Sequence, residues 1–313
     1  MANENDLVID VWGLTKRYRG LDRPAVRDLT LRLRRGDVFG FVGPNGAGKT
    51  TTIKMLLNLA VPDAGGGSIL GLDIVRDSVA IRRRVGFMSG EVRLWNAMRG
   101  GELLRFLLSL HGGADEGLLE ELNNRFRVPL DRKVKTYSSG QKQMLALTAA
   151  MAHPSELLLL DEPAKGLDPS KKAQFFELIE RYRDGGGTAL ISSHVLSEIE
   201  AVCTRVGFIR RGLLLGDEEI EAVRGHLENV IIASFSEEPD EERLRGLPGV
   251  GEVRRHGVEF VFHVDGDARD ALRALADLPL ASLRYRSASL DDLYAELYMP
   301  ELDPEGEGGS STW

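Results

Sequence analysis

The order of apolar segments predicts an α/β fold built on a parallel sheet, followed by a smaller α+β domain. Three observations carry that reading. Strand and helix signals alternate through the first two thirds of the 313 residues, as β-α-β units require. Leu157-Leu158-Leu159-Leu160 is apolar on both faces, which suits a strand buried within a parallel sheet. Near residue 216 both pattern and charge change: residues 1–216 carry a net +6, whereas residues 217–313 carry −14 and contain no lysine.

The elements follow in order. Leu29, Leu31 and Leu33 alternate with Thr30, Arg32 and Arg34, a strand with one buried face. Gly36-Asp37 is a turn, and Val38 to Val42 is a short apolar strand. A glycine-rich loop leads into a helix-compatible run, Thr50 to Leu59, and Val85 to Met88 is the next strand. Over 100–127, Leu103, Leu104, Leu107, Leu108 and Leu110 form an apolar helical stripe. A helix at Lys171 to Arg183, a strand at Thr188 to Ser192 and a helix at Val195 to Val202 complete the first domain, residues 1–216. The second, residues 217–299, reads as a helix near 217–226, strands at 230–235, 252–255 and 258–264, a helix at 267–277, a strand at 281–286 and a helix at 289–298. The Gly-, Glu- and Ser-rich tail, 300–313, has the composition of a disordered segment.

Composition excludes several classes. With 42% hydrophobic and 28% charged residues the chain can build a core. The lone cysteine, Cys203, rules out an internal disulfide framework or a cysteine-cluster zinc site, and reads as a small buried hydrophobe. No apolar run approaches the roughly 20 residues that cross a bilayer, and the start has no secretion pattern. A soluble, cytoplasmic chain is expected.

Chemistry enters at Gly43-Pro44-Asn45-Gly46-Ala47-Gly48-Lys49-Thr50, which fits G-x-x-x-x-G-K-[ST] between an apolar strand and a helix. Its glycines let successive backbone N–H groups face the β- and γ-phosphates of a nucleotide, at a helix N-terminus whose dipole favours anions. Lys49 adds a point charge near the transferred phosphate, and Thr50 offers a hydroxyl to Mg²⁺. Gly43, Asn45, Gly46, Gly48, Lys49, Thr50 and Thr51 are therefore the nucleotide-binding candidates of this loop. After the buried Leu157–Leu160 strand stand two carboxylates. Asp161 is placed to hold Mg²⁺, and Glu162 to accept a proton from an attacking water.

Further motifs make a resemblance specific. Tyr137-Ser138-Ser139-Gly140-Gln141 resembles the LSGGQ signature of the ATP-binding cassette (ABC) family. Gly166-Leu167-Asp168 looks like its D-loop, His194 in Ser192-Ser193-His194 like its switch histidine, and Tyr18 stands where the family has an aromatic residue. The resemblance covers residues 7–215 and implies a P-loop (RecA-like) ABC ATPase core with a helical subdomain at about 91–136. It implies ATP and Mg²⁺ as cofactors, with Tyr18 stacked on adenine and His194 at the γ-phosphate, positioning the water. It implies that Ser138, Ser139, Gly140 and Gln141 grip ATP bound by the opposite subunit of a head-to-tail homodimer, with Asp168 at the interface. Read alone, Ser138 is a helix cap and Asp168 a turn residue. One position departs: Gly90 stands where the family's Q-loop has glutamine, with Glu91 next. Either Glu91 or a water substitutes, or turnover is slow and the loop keeps only a mechanical role.

Length narrows what the engine drives. Lys49 and Asp161 are 112 residues apart, too close for an inserted coiled coil, and the chain carries a single cassette. The acidic second half argues against a nucleic-acid partner. The expectation is an ATPase subunit at the cytoplasmic face of a membrane, peripheral and bound to polytopic permease subunits through its helical subdomain. Ser287-Ala288-Ser289-Leu290-Asp291-Asp292 resembles a motif near the end of bacterial drug-export ATPases, which favours an exporter. The alternative is a non-transport ABC ATPase acting on nucleic acid or the ribosome.

Overall fold

A computed structural model describes residues 6–222, 229–264 and 268–287. The chain divides into two compact units, Met1–Ile220 and Glu221–Trp313. The first opens with β1 (Leu7–Lys16), β2 (Val26–Arg34) and β3 (Val38–Val42), then α1 (Lys49–Leu56), β4 (Ala64–Ile69), β5 (Leu72–Asp73), α2 (Ser78–Arg84) and β6 (Val85–Met88). The helices α3 (Gly100–Ser109), α4 (Glu116–Phe126) and α5 (Ser139–Met151) follow. Then come β7 (Leu157–Asp161), α6 (Pro169–Asp184), β8 (Ala189–Ser193), α7 (Leu196–Val202), β9 (Arg205–Arg210) and β10 (Leu213–Glu219).

The central sheet has the order β10-β9-β3-β8-β7-β6, parallel except for the edge strand β10. Every residue of β3, β7 and β8 is buried, which explains their unbroken apolar sequence. Adjacent parallel strands bring the carboxyl ends of β3, β8 and β7 side by side, and in open α/β sheets ligands bind at those ends. A second, antiparallel sheet, β2-β1-β4-β5, shares a core of Val11, Leu14, Leu31, Phe39, Ile53 and Leu159 with the first.

Two expectations need correction here. The stripe over 100–127 is two helices, because Gly112 and Gly113 adopt φ of +88° and +124° and break the run. Residues 217–219 belong to strand β10 rather than a helix: Asp217 pairs with Gly207, and its carboxylate takes both contacts from Arg205, at 2.7 and 2.8 Å. Residues 220–222 then enter a helical turn. Cys203 is buried, and burial pushes its thiol far above the usual range, so it is inert.

The second unit contains β11 (Asn229–Phe235), α8 (Glu241–Arg245), β12 (Val250–His256), β13 (Glu259–Val264), α9 (Arg269–Ala276) and β14 (Leu280–Ser287). Its sheet order, β12-β13-β11-β14, is antiparallel throughout, giving a ferredoxin-like β-α-β-β-α-β unit. Ile231, Phe260, Phe262, Leu244, Ala271 and Leu275 form its core. The helix read at 289–298 and the tail from 300 lie outside the described residues.

Two histidines near the ends of α3 and α5 stack on one another. The rings of His111 and His153 lie 4.0 Å apart at 24°. Burial, with His111 beside it, pushes His153 down to about 4 from an ordinary 6.5. Between those values the unfolded chain binds a proton that the folded chain refuses, so this contribution is intact above pH 6.5 and lost as pH falls toward 4. The melting temperature is expected to drop across that window, and His153→Gln to flatten the drop relative to the parent.

Candidate nucleotide site

The loop between β3 and α1 wraps around Lys49. Its backbone turns on Gly48, at φ +117°, which a side chain would not tolerate. Gly43 is required by space instead, since a Cβ there would sit 2.1 Å from the Ile209 carbonyl oxygen. Lys49 is only 6% exposed. Its Nζ donates to the carbonyl oxygens of Gly43 at 2.5 Å and Pro44 at 3.2 Å, and lies 3.2 Å from Glu162 Oε1.

At the end of β7 the two carboxylates part company. Asp161 is buried and accepts the Thr50 hydroxyl on Oδ2 at 2.8 Å and the Ser192 hydroxyl on Oδ1 at 2.6 Å. Glu162 adopts φ +49°, rare for a residue with a side chain and costing about 1–3 kcal/mol. That turn carries its carboxylate away from Asp161, between Lys49 and His194 Nδ1, the latter 2.7 Å from Oε2. Its backbone is fixed on both sides. The N–H donates to the Ser192 hydroxyl at 3.0 Å, and the carbonyl accepts Gln143 Nε2 at 3.2 Å. Gln143 also donates to the Pro163 carbonyl at 3.0 Å.

Lys49, Glu162 and His194 thus form one set of direct contacts, and Thr50 and Asp161 a second beside it. Lys49, Thr50, Asp161 and Glu162 line a cleft of about 690 Å³ together with Tyr18, Asn45, Gly46, Gly48 and Thr51, whereas Gly43 and His194 are not part of its lining. Ser138, Ser139, Gly140, Gln141 and Asp168 do not line it. Ser138 and Gln141 cap α5 reciprocally, at 3.0 and 3.2 Å, and the Ser138 and Ser139 side chains are exposed. Asp168 caps α6 by accepting the Lys171 N–H at 3.0 Å.

Glu91 and Gly90 both line this cleft. The Glu91 carboxylate pairs with Arg93 at 2.8 Å on the surface, with 79% of the side chain exposed. It is the Gly90 N–H that reaches Asp161 Oδ2, at 3.3 Å. Two contributors were not read from the sequence. In the sequence Ser192 is legible only as a strand end beside His194, and Gln143 only as a residue of helix α5. Nothing local marks either as a ligand of the carboxylate turn.

The donor set also bears on a metal. Thr50 Oγ1 and Asp161 Oδ2 present hard oxygens at the cleft, and no group of three or more His, Cys, Asp or Glu converges among the described residues. That suits Mg²⁺, which takes one or two protein oxygens and fills its shell with phosphate and water.

A buried parallel sheet with a phosphate loop, paired carboxylates and a histidine at its carboxyl ends defines a P-loop nucleotide-binding protein. Comparison makes the class narrower. The family model described as ABC transporter matches residues 26–165. The daunorubicin/doxorubicin resistance ATP-binding protein DrrA of Streptomyces peucetius is 31% identical over 312 residues, covering 95% of this chain and 94% of that one. The Nod factor export ATP-binding protein I of Neorhizobium galegae is 31% identical over 304 residues, covering 95% and 86%. A solved ATP-binding subunit of an ABC transporter superposes with a TM-score of 0.64 at 26% identity, over 70% of this chain and 92% of that one. The chain belongs to the ABC transporter ATP-binding proteins.

Proposed function

We propose that this chain is the ATP-hydrolysing subunit of an ABC exporter and works as a head-to-tail homodimer beneath separately encoded membrane subunits. The observation that carries the hydrolytic reading is the Lys49–Glu162–His194 contact set beside the Thr50–Asp161 pair. Relatives that match along nearly the whole chain, not the cassette alone, include one named for Nod factor export and one for daunorubicin/doxorubicin resistance, which favours export.

In this reading the loop amides and Lys49 bind the β- and γ-phosphates, and Tyr18 stacks on the adenine. Thr50 and Asp161 hold Mg²⁺, which supplies charge neutralisation at the phosphates. Glu162 accepts the proton of the attacking water, and His194 orients that water and the γ-phosphate. Ser138 to Gln141 complete the site of a second copy, which agrees with the exposure of Ser138 and Ser139 outside their own cleft. Asp168 faces that same copy. The membrane partner would dock where the helical segment meets β6 and α5, at a groove of about 540 Å³ lined by Phe87, Val92, Leu94, Leu107 and Ala146. The chain would then sit peripherally at the cytoplasmic face, and no helix among its described residues is long and apolar enough to cross a membrane.

Affinity purification from native membranes tests the assignment. A co-purifying polytopic protein is expected. Ribosomes or nucleic acid in its place would overturn the transport reading in favour of a non-transport ABC ATPase.

A further inference from the structure

We propose that Glu198 is a positioning residue for His194, tying the histidine loop to the helix that starts at Asp168. The inference rests on the reading that His194 works at the γ-phosphate.

Strand alternation sets up the arrangement. Ser192 and Ser193 end β8 and point to opposite faces, so Ser192 turns to Asp161 and Ser193 turns away from it. The Ser193 hydroxyl donates to Glu198 Oε2 at 2.8 Å and accepts the Val195 N–H at 3.0 Å. His194 is the residue between Ser193 and Val195, so one hydroxyl pins the backbone on both sides of it. The Ser193 carbonyl also accepts the Gly43 N–H at 3.4 Å, which ties the same residue to the phosphate loop. Glu198 fixes the direction of that hydroxyl. Its other oxygen, Oε1, accepts Lys172 Nζ at 2.6 Å.

Lys172 lies in the first turn of α6, and its N–H donates to the Asp168 carbonyl at 3.0 Å. A continuous set of contacts therefore runs from Asp168 through Lys172, Glu198 and Ser193 to the loop that places His194 on Glu162. The Glu198 side chain is 12% exposed, so the pair is shielded from water on that side. An exposed pair would contribute little. The arrangement also gives Asp168, on the face proposed to meet a second copy, a physical route to the histidine. A route of this kind requires measured coupling, not adjacency alone.

The test is single-turnover and steady-state ATP hydrolysis by the full chain, with release of labelled phosphate as the readout. The variants are Glu198→Gln, Lys172→Ala and Lys172→Arg, and Glu198→Gln again in a His194→Ala background. Glu198→Gln is expected to lower kcat about tenfold, a loss in keeping with a small displacement of a catalytic group. KM for ATP should stay within about twofold, because the phosphate loop is untouched. Lys172→Arg should retain more activity than Lys172→Ala. Adding Glu198→Gln to His194→Ala should cost nothing further, since the residue acts through the histidine.

Three results would overturn the inference. One is a Glu198→Gln kcat within twofold of the parent. Another is an equal fractional loss with and without His194. The third is a loss seen only as a raised KM or a lowered melting temperature, which would make Glu198 a mere brace for α7. An inactive parent, or a fully active His194→Ala, would instead refute the underlying reading of the site.

Discussion

Replacing Glu162 by glutamine is expected to cut ATP turnover by about 10²–10⁴-fold, the usual worth of a positioned general base, while leaving ATP bound. Glutamine has nearly the shape of glutamate, so it can stay between Lys49 and His194 in the left-handed turn at φ +49°. What it loses is the negative charge and the ability to take a proton. Binding should not suffer. The Glu162 carboxylate holds Lys49 at 3.2 Å, a contact that the γ-phosphate must compete with. Without that charge Lys49 is held by neutral oxygens only, those of Gly43, Pro44 and the glutamine amide, and is more available to the nucleotide. The variant should therefore accumulate in the ATP-bound state. If hydrolysis is what separates the two copies, it should elute as a dimer in saturating Mg²⁺-ATP. A monomer under those conditions, or an unchanged initial rate, would show that Glu162 is not the base.

Much of this site is legible in the sequence alone, and the reason is spacing. The phosphate loop is a contiguous motif whose glycines are dictated by backbone geometry, and its flanking strand Val38–Val42 has the bounds read for it. Asp161 announces itself by following a run that only a buried strand accommodates. His194 is different. It lies 32 residues from Glu162 in sequence, and only the adjacency of β7 and β8 brings it within 2.7 Å. Resemblance to a family identified it; no local pattern could.

Other features were hidden for identifiable reasons. Strand β4 reads Ala-Gly-Gly-Gly-Ser-Ile, the composition of a turn. It is a strand because β1 supplies the ladder, and because Gly67 packs so closely that a Cβ would lie 2.4 Å from the Asp10 carbonyl oxygen. The acidic stretch 217–219 has little strand propensity, but the ladder to β9 and the Arg205–Asp217 pair override it. Glu198 carries a faint signal, an acid in the first turn of a helix, and that signal fits a favourable helix dipole equally well.

Lys49→Ala is expected to be the most damaging single change at the site, weakening ATP binding by about 10²-fold or more and abolishing measurable hydrolysis. The direct term is a lost charge-assisted contact to phosphate, roughly 1.5–3 kcal/mol. A second term comes from what is left behind. The Glu162 side chain is 11% exposed, and with Lys49 gone its carboxylate faces the incoming phosphates with no ammonium to balance it. Breaking a buried pair on one side typically costs about 3–5 kcal/mol, and here part of that cost falls on the nucleotide, which arrives with like charge. The two terms can be separated by titration calorimetry with ATP in the absence of Mg²⁺, where hydrolysis does not interfere. Lys49→Ala combined with Glu162→Gln should recover part of the lost affinity, because the repelling carboxylate has been neutralised. If the double variant binds no better than Lys49→Ala alone, the carboxylate does not contribute to the loss. Lys49→Arg should not rescue. Lys49 is 6% exposed and reaches carbonyls inside its own loop, a space shaped for a compact ammonium. A planar guanidinium is wider and cannot place its donors on the same two oxygens without opening the turn at Gly48.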